Sequence, residues 1–180
     1  MVTLCVLYAQ CTRGIFRKAM VSIRTPKVYL ETTMFNYYFD SERDAHADTV
    51  KFFEEIKAGK YQAFTSNYTT EELSKAPEEK FVKMMGLIEE YDIAILNPSD
   101  DEVRLAVLYQ EQGILPARST TDALHIAAAT VNDLDMILSL NFEHIVRKKT
   151  VVMTSSLNTQ LGYRPIDIRS PMEVVSRENS

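Results

Sequence analysis

From Ala123 to Val131 the chain is apolar or small on nearly every side of a helix, and Asp122, in the first turn, is the one carboxylate of that run. A helix that is apolar all round belongs inside a protein rather than on its surface. A few residues on, Asp135 to Leu140 reads as a buried strand that runs into the polar Asn141. The lone acid at the mouth of this helix has two readings. It complements the helix dipole, which stabilises by ~0.3–1 kcal/mol, or it is a metal ligand in a crevice beside the strand ends. The stretch alone favours the first, and the rest of the chain shifts the balance.

A chain of 180 residues with 46% hydrophobic content buries one sizeable core, which predicts a single globular domain. The net charge of -5 argues against binding nucleic acid by bulk electrostatics. It is compatible with an acidic site that recruits cations, which then engage phosphates. No apolar run approaches the ~20 residues of a membrane span. The two cysteines, Cys5 and Cys11, leave the core without a disulfide framework or thiolate metal site, as expected of a protein in the reducing cytoplasm.

Residues 1–24 contain no acid and several bases (Arg13, Arg17, Lys18, Arg24), so they are expected to lie outside a domain spanning 25–180. Met20 is an alternative start. Beyond them, Lys27 to Leu30 is a short strand that ends in Glu31-Thr32-Thr33. Thr49 to Lys57 has helical spacing and stops at Gly59. Tyr61 to Thr65 is a second strand, Thr69 to Leu73 opens a short helix, and Pro77 to Tyr91 is a longer one. Ile93 to Leu96 is a third strand, and Ser99-Asp100-Asp101-Glu102 is a capping box for a helix reaching about Gln112. Asp135 to Leu140 is expected as the fourth strand, Asn141 to Lys148 as a short helix and Thr150 to Met153 as the fifth strand. Ser170-Pro171-Met172-Glu173 is another capping box. Strands alternating with helices predict a parallel sheet covered on both faces, a three-layer α/β/α domain.

On this layout Glu31 closes the first strand, Glu72 lies in the first turn of the helix after the second, Asp122 heads the helix before the fourth, and Asn141 follows it. In open parallel sheets sites form outside the carboxyl ends of the strands, where strand order switches. Crowded carboxylates are costly unless a cation neutralises them, and oxygen-only ligands suit Mg²⁺ or Mn²⁺. Each residue also has an ordinary structural use. Glu72 completes a Thr69-x-x-Glu72 capping box, Asn141 is a favoured N-cap, and Glu31 is a strand-end charge. Singly these uses are at least as good an explanation; jointly they do not explain why the acids share one edge.

There is no Gly-x-Gly-x-x-Gly after the first strand, no Walker loop and no Gly-x-Ser-x-Gly elbow. Of the histidines, His125 sits one turn after Asp122, where it can orient that acid, but it reads more readily as a packed, hydrogen-bonded helix residue; none is expected as a ligand.

Val28-Tyr29-Leu30-Glu31-Thr32-Thr33-Met34-Phe35-Asn36 resembles the opening motif of PIN domains, which usually close the strand with Asp-Thr-Ser. Glu72-Leu73, Asp122-Ala123-Leu124-His125-Ile126-Ala127 and Leu138-Ser139-Leu140-Asn141-Phe142 resemble the later motifs of that family, in order, over about Lys27 to Val175. The resemblance implies a five-stranded parallel sheet of order 3-2-1-4-5 and a metal-dependent endoribonuclease. In it Glu31, Glu72 and Asp122 hold one or two Mg²⁺ or Mn²⁺ ions, with Asn141 acting directly or through water. It implies supporting roles for Thr33 and Asn36, while Arg118 is a candidate phosphate contact. Many prokaryotic members are VapC-like toxins, so the resemblance also implies an RNA substrate, an antitoxin protein and a homodimer. Glu31 stands where the family usually has Asp, and Asn141 where it has an acid. A domain of this type that binds RNA or a partner without cutting is therefore the alternative. A haloacid-dehalogenase-like phosphohydrolase ranks last, because Glu31-Thr32-Thr33 supplies no aspartate nucleophile.

Overall fold

The computed structural model describes residues 24–176. The expected N-terminal extension, apart from Arg24, and the alternative start at Met20 lie outside the described residues. Strand β1 (Lys27–Leu30) leads into α1 (Thr32–Phe39) and α2 (His46–Lys57). Then come β2 (Gln62–Ser66), α3 (Asn67–Leu73), α4 (Glu78–Glu90), β3 (Ala94–Leu96), α5 (Asp100–Glu111) and α6 (Thr120–Val131). The chain continues through β4 (Met136–Leu138), α7 (Lys148–Gln160), β5 (Asp167–Arg169) and α8 (Pro171–Val174). All strands pair in parallel in the order β3-β2-β1-β4-β5, the order the family resemblance implied.

β1 lies at the centre, and the order reverses there: β2 flanks it on one side and β4 on the other. Alternate residues of β1 feed different cores. Val28 and Leu30 pack with Phe35 of α1, Phe52 and Phe53 of α2, and Met84 and Ile88 of α4. Tyr29 packs on the other face with Leu105 and Tyr109 of α5 and with Ala123, Ile126 and Ala127 of α6. Both faces are thus covered, as a parallel sheet requires. The apolar helix that dominates the sequence is α6, and all of Ala123 and His125 to Thr130 is buried.

Both capping boxes form: Ser99 with Glu102 starts α5, and Ser170 with Glu173 starts α8, with Pro171 at its first position. Gly59 and Gly113 end α2 and α5 with positive φ (76° and 65°), which only glycine adopts without strain.

Three expectations are overturned. Thr150 to Met153 is not the fifth strand but part of α7; β5 is Asp167–Arg169, which pairs with β4. The run Thr150-Val151-Val152 has strong β propensity, but Thr150, Thr154 and Asn158, four apart, form the buried face of a helix. Val152 points to solvent. Asn158 is held there by the Tyr109 hydroxyl (2.7 Å) and its own amide donates to Thr130 (3.2 Å). Next, Asn141 to Lys148 is not a helix but a turn, closed by the Ile145 and Val146 amides on the Asn141 carbonyl. Finally, α3 begins at Asn67 rather than Thr69, so Glu72 falls in its last turn and no Thr69–Glu72 box forms. Residues 34–39, given no element from their pattern, belong to α1 with Glu31 as N-cap.

Candidate functional site

Glu31 follows β1 at the carboxyl edge of the sheet, next to the end of β4, because Leu30 is registered against Leu138. Its backbone leaves the strand as the N-cap of α1, and its side chain folds back to accept from the Thr33 amide (2.9 Å) and hydroxyl. The Thr33 hydroxyl oxygen accepts in turn from the Leu140 amide (2.8 Å), which also approaches Glu31 Oε1 (3.4 Å). Glu31 and Thr33 therefore stitch the end of β1 to the segment after β4. Glu31 is only 3% exposed. Burial pushes its carboxyl above the usual range, and the charge of His125 and the Thr33 hydrogen bonds oppose this without cancelling it.

Glu72 reaches the same edge from α3. Its Oε2 accepts from His125 Nε2 (3.0 Å) and from the Thr32 hydroxyl. Burial acts to raise its carboxyl, but the hydrogen bond and charge of His125, with Thr32 and Lys75, outweigh that and hold it below the usual range. The two glutamates thus move in opposite directions. Glu31 has almost no solvent, while Glu72 accepts from the His125 ring and has a partly exposed side chain.

Asp122 stands in the first turn of α6, and its Oδ1 accepts from Asn141 Nδ2 (2.9 Å). Asn141 Oδ1 accepts from the His144 amide (3.1 Å), so this side chain closes the turn after β4 and ties it to α6. Burial raises the Asp122 carboxyl; the Ser119 hydroxyl and the charges of His125 and His144 pull it down, and Glu72 adds to the rise. Charge on His125 acts on all three acids, Glu31, Glu72 and Asp122.

The structure therefore brings Glu31, Glu72, Asp122, Asn141 and Thr33 to one edge of the sheet, at the switch point where such sheets bind ligands. It does not bring Asn36 or Arg118 into that network. Asn36 donates back to the Thr32 carbonyl (3.1 Å) on its own helix. Arg118 is largely exposed before α6, 3.7 Å from Glu143. His125 is hydrogen-bonded, as its sequence context suggested, but to Glu72 rather than to Asp122. Tyr29, read only as part of an apolar strand, is a functional candidate that the pattern missed. Its hydroxyl meets His125 Nδ1 (2.8 Å) and Ser66 Oγ (2.5 Å). A phenol inside a fully buried strand needs a partner, and that was its signal.

The donor chemistry suits a hard divalent cation: carboxylate oxygens, with no thiolate among the described residues. As the side chains stand, no three His, Cys, Asp or Glu groups among the described residues gather closely enough to hold an ion. Glu31 is committed to Thr33 and the Leu140 amide. Glu72 and Asp122 are the more open carboxyls, and they are the two whose oxygens would be left to hold an ion, with water completing its shell.

The fold is a three-layer α/β/α domain with the PIN-like strand order 3-2-1-4-5. No protein-family model matches the chain, and no curated protein matches it by sequence. Among solved structures it is similar to VapBC2 from Rickettsia felis bound to a DNA fragment from their promoter. The TM-score is 0.50 at 11% identity, over 80% of this chain and 98% of that one. A second similar structure is VapC20 of Mycobacterium tuberculosis, a Sarcin-Ricin loop cleaving toxin (TM-score 0.48, 13% identity, 65% of this chain and 92% of that one). At such identity the likeness to the Rickettsia chain is one of fold. Among the described residues no helix is long and apolar enough to cross a membrane.

Proposed function

We propose that the protein is a metal-dependent endoribonuclease of the VapC-like type. The observation that supports this most is that Glu31, Glu72 and Asp122 lie at the same carboxyl edge of the sheet, with Asn141 bonded to Asp122. Glu72 and Asp122 would hold Mg²⁺ or Mn²⁺, with Glu31 adding negative potential from beneath. When bound, such an ion supplies an activated water and stabilises the attacking and leaving oxygens of a phosphodiester. Asn141 fixes the rotamer of Asp122, and Thr33 fixes that of Glu31. Arg118, outside the network and exposed beside Glu143, would offer its guanidinium to backbone phosphate. The site residues Glu31, Glu72, Asp122 and Asn141 carry these roles in the proposal, with an RNA substrate in the cytoplasm. An antitoxin protein and a homodimer belong to the same reading; light scattering alone and after co-expression with the neighbouring open reading frame tests them.

A second reading is a PIN-like domain that binds RNA or a partner without cutting. It is favoured by Glu31, whose carboxyl is turned into the fold with both oxygens engaged. Cleavage of a labelled single-stranded RNA separates the two. The nuclease reading expects cutting with Mn²⁺ or Mg²⁺, none with chelator, and none for Asp122→Asn. Metal-independent cutting, or an unchanged mutant, would refute it; RNA retention without cutting supports the second reading.

A further inference from the structure

Ser66, Tyr29 and His125 form a buried hydrogen-bonded chain that surfaces at Glu72. Ser66 Oγ lies 2.5 Å from the Tyr29 hydroxyl, that hydroxyl 2.8 Å from His125 Nδ1, and His125 Nε2 3.0 Å from Glu72 Oε2. Thr69 Oγ1 stands 3.4 Å from the same hydroxyl. The members come from β2, β1, α6 and α3, so the chain ties the carboxylate on α3 to three other elements. An ionised carboxylate only accepts, so Nε2 carries a hydrogen and donates to Glu72. That holds whether Nδ1 accepts from the Tyr29 hydroxyl or donates to it.

Glu72 needs such a tether. It lies in the last turn of a helix of only 7 residues, on a long side chain with several rotamers. Asp122 and His125 are three apart on α6 and share a face. One helix therefore delivers both the acid that pairs with Asn141 and the ring that holds the acid from α3.

We propose that His125, itself held by Tyr29, is a positioning residue that fixes the Glu72 carboxylate for a divalent cation. This rests on the metal reading given above. If His125 only fills space, an apolar side chain of similar size replaces it without loss. If it positions Glu72, the donor at Nε2 is what matters. Removing a hydrogen-bond partner of a ligand typically costs 10–100-fold in metal affinity.

The test compares His125→Gln, which keeps an N–H donor near the Nε2 position, with His125→Leu, which keeps bulk alone. Mn²⁺ affinity is read by calorimetry on the full chain. The Gln variant is expected to stay within about threefold of native, and the Leu variant to lose about 10–100-fold. Tyr29→Phe, which leaves the ring but frees it, is expected to fall between them; it carries the comparison if the Leu variant does not fold. In the metal-free protein, NMR is expected to show a His125 Nε2 proton protected from exchange, and Glu72→Ala should shift or expose it. Native Mn²⁺ affinity in His125→Leu, or an Nε2 proton indifferent to Glu72→Ala, overturns the proposal. A native protein that binds no Mn²⁺ while that proton does respond to Glu72→Ala defeats the metal reading first, and the positioning role falls with it.

Discussion

Tyr29→Phe removes one oxygen from the centre of the molecule, and its cost follows from who is left behind. Tyr29 is fully buried, and both close partners, Ser66 and His125, are 1% exposed. Neither regains a bond to solvent. A buried polar group left without a partner costs ~1–3 kcal/mol. Among the described residues Ser66 Oγ has no hydrogen-bond partner apart from the one lost, whereas His125 keeps Glu72. The expected loss is therefore about 2 kcal/mol, nearer one full penalty than two. For a domain of this size each kcal/mol moves Tm by ~2–4 °C, so Tm should fall by about 4–8 °C. Urea unfolding followed by circular dichroism gives the free energy, and a Ser66→Ala cycle tests its origin. Removing both partners should cost less than the sum of the single changes, by about 1 kcal/mol. A loss below ~0.5 kcal/mol, typical of unremarkable surface sites, would show that the hydroxyl is not bonded as described.

Tyr109→Phe should cost about 1–2 kcal/mol in the same assay, because Asn158 loses the donor at 2.7 Å that holds it inside α7; no change would mean that Asn158 is satisfied elsewhere. Asp135 accepts from the Lys27 amide (2.7 Å) and from Arg164 (2.9 Å). Burial works to raise its carboxyl, yet that amide, Arg164 and Arg24 hold it below its ordinary 3.8. A depressed acid contributes stability that is present above the unfolded value and lost as pH falls through the folded one. Asp135→Asn should therefore flatten the loss of Tm below about pH 4, and an unaltered acid limb would refute that origin. Gly113→Ala places a side chain at φ 65°, where nothing crowds it, so backbone strain alone should cost about 1 kcal/mol; a neutral or stabilising result would contradict it. Glu31→Asp draws the carboxylate back by roughly 1.5 Å. It should weaken the tie to Thr33 and the Leu140 amide, seen as faster exchange of the Leu140 amide proton; unchanged exchange would show that the shorter acid makes the same bonds.

The layering was legible because it rests on composition that burial enforces. An all-apolar α6 has only the inside of a protein to occupy, and two Ser-x-x-Glu boxes marked true helix starts. The fifth strand was not legible. Thr150-Val151-Val152 carries strand propensity, but the bonds of Asn158 to Tyr109 and Thr130 decide the matter, and those lie 49 and 28 residues away in sequence. Glu72 was placed at the wrong end of its helix, since Asn67 opens α3 without a side-chain cap to announce it. At the site, residue type and strand-end position indicated Glu31, Glu72, Asp122 and Asn141, because topology carries strand ends to one edge. Where each carboxylate points depends on hydrogen bonds such as His125 to Glu72, across 53 positions, which local pattern does not encode.

Diffraction from crystals grown with Mn²⁺, recorded at the manganese absorption edge, goes to the heart of the metal reading. A peak within bonding reach of Glu72 and Asp122, lost in Asp122→Asn crystals, is the expected result. A map with no anomalous peak beside these two acids at millimolar Mn²⁺, or with one only at unrelated surface acids, would contradict it.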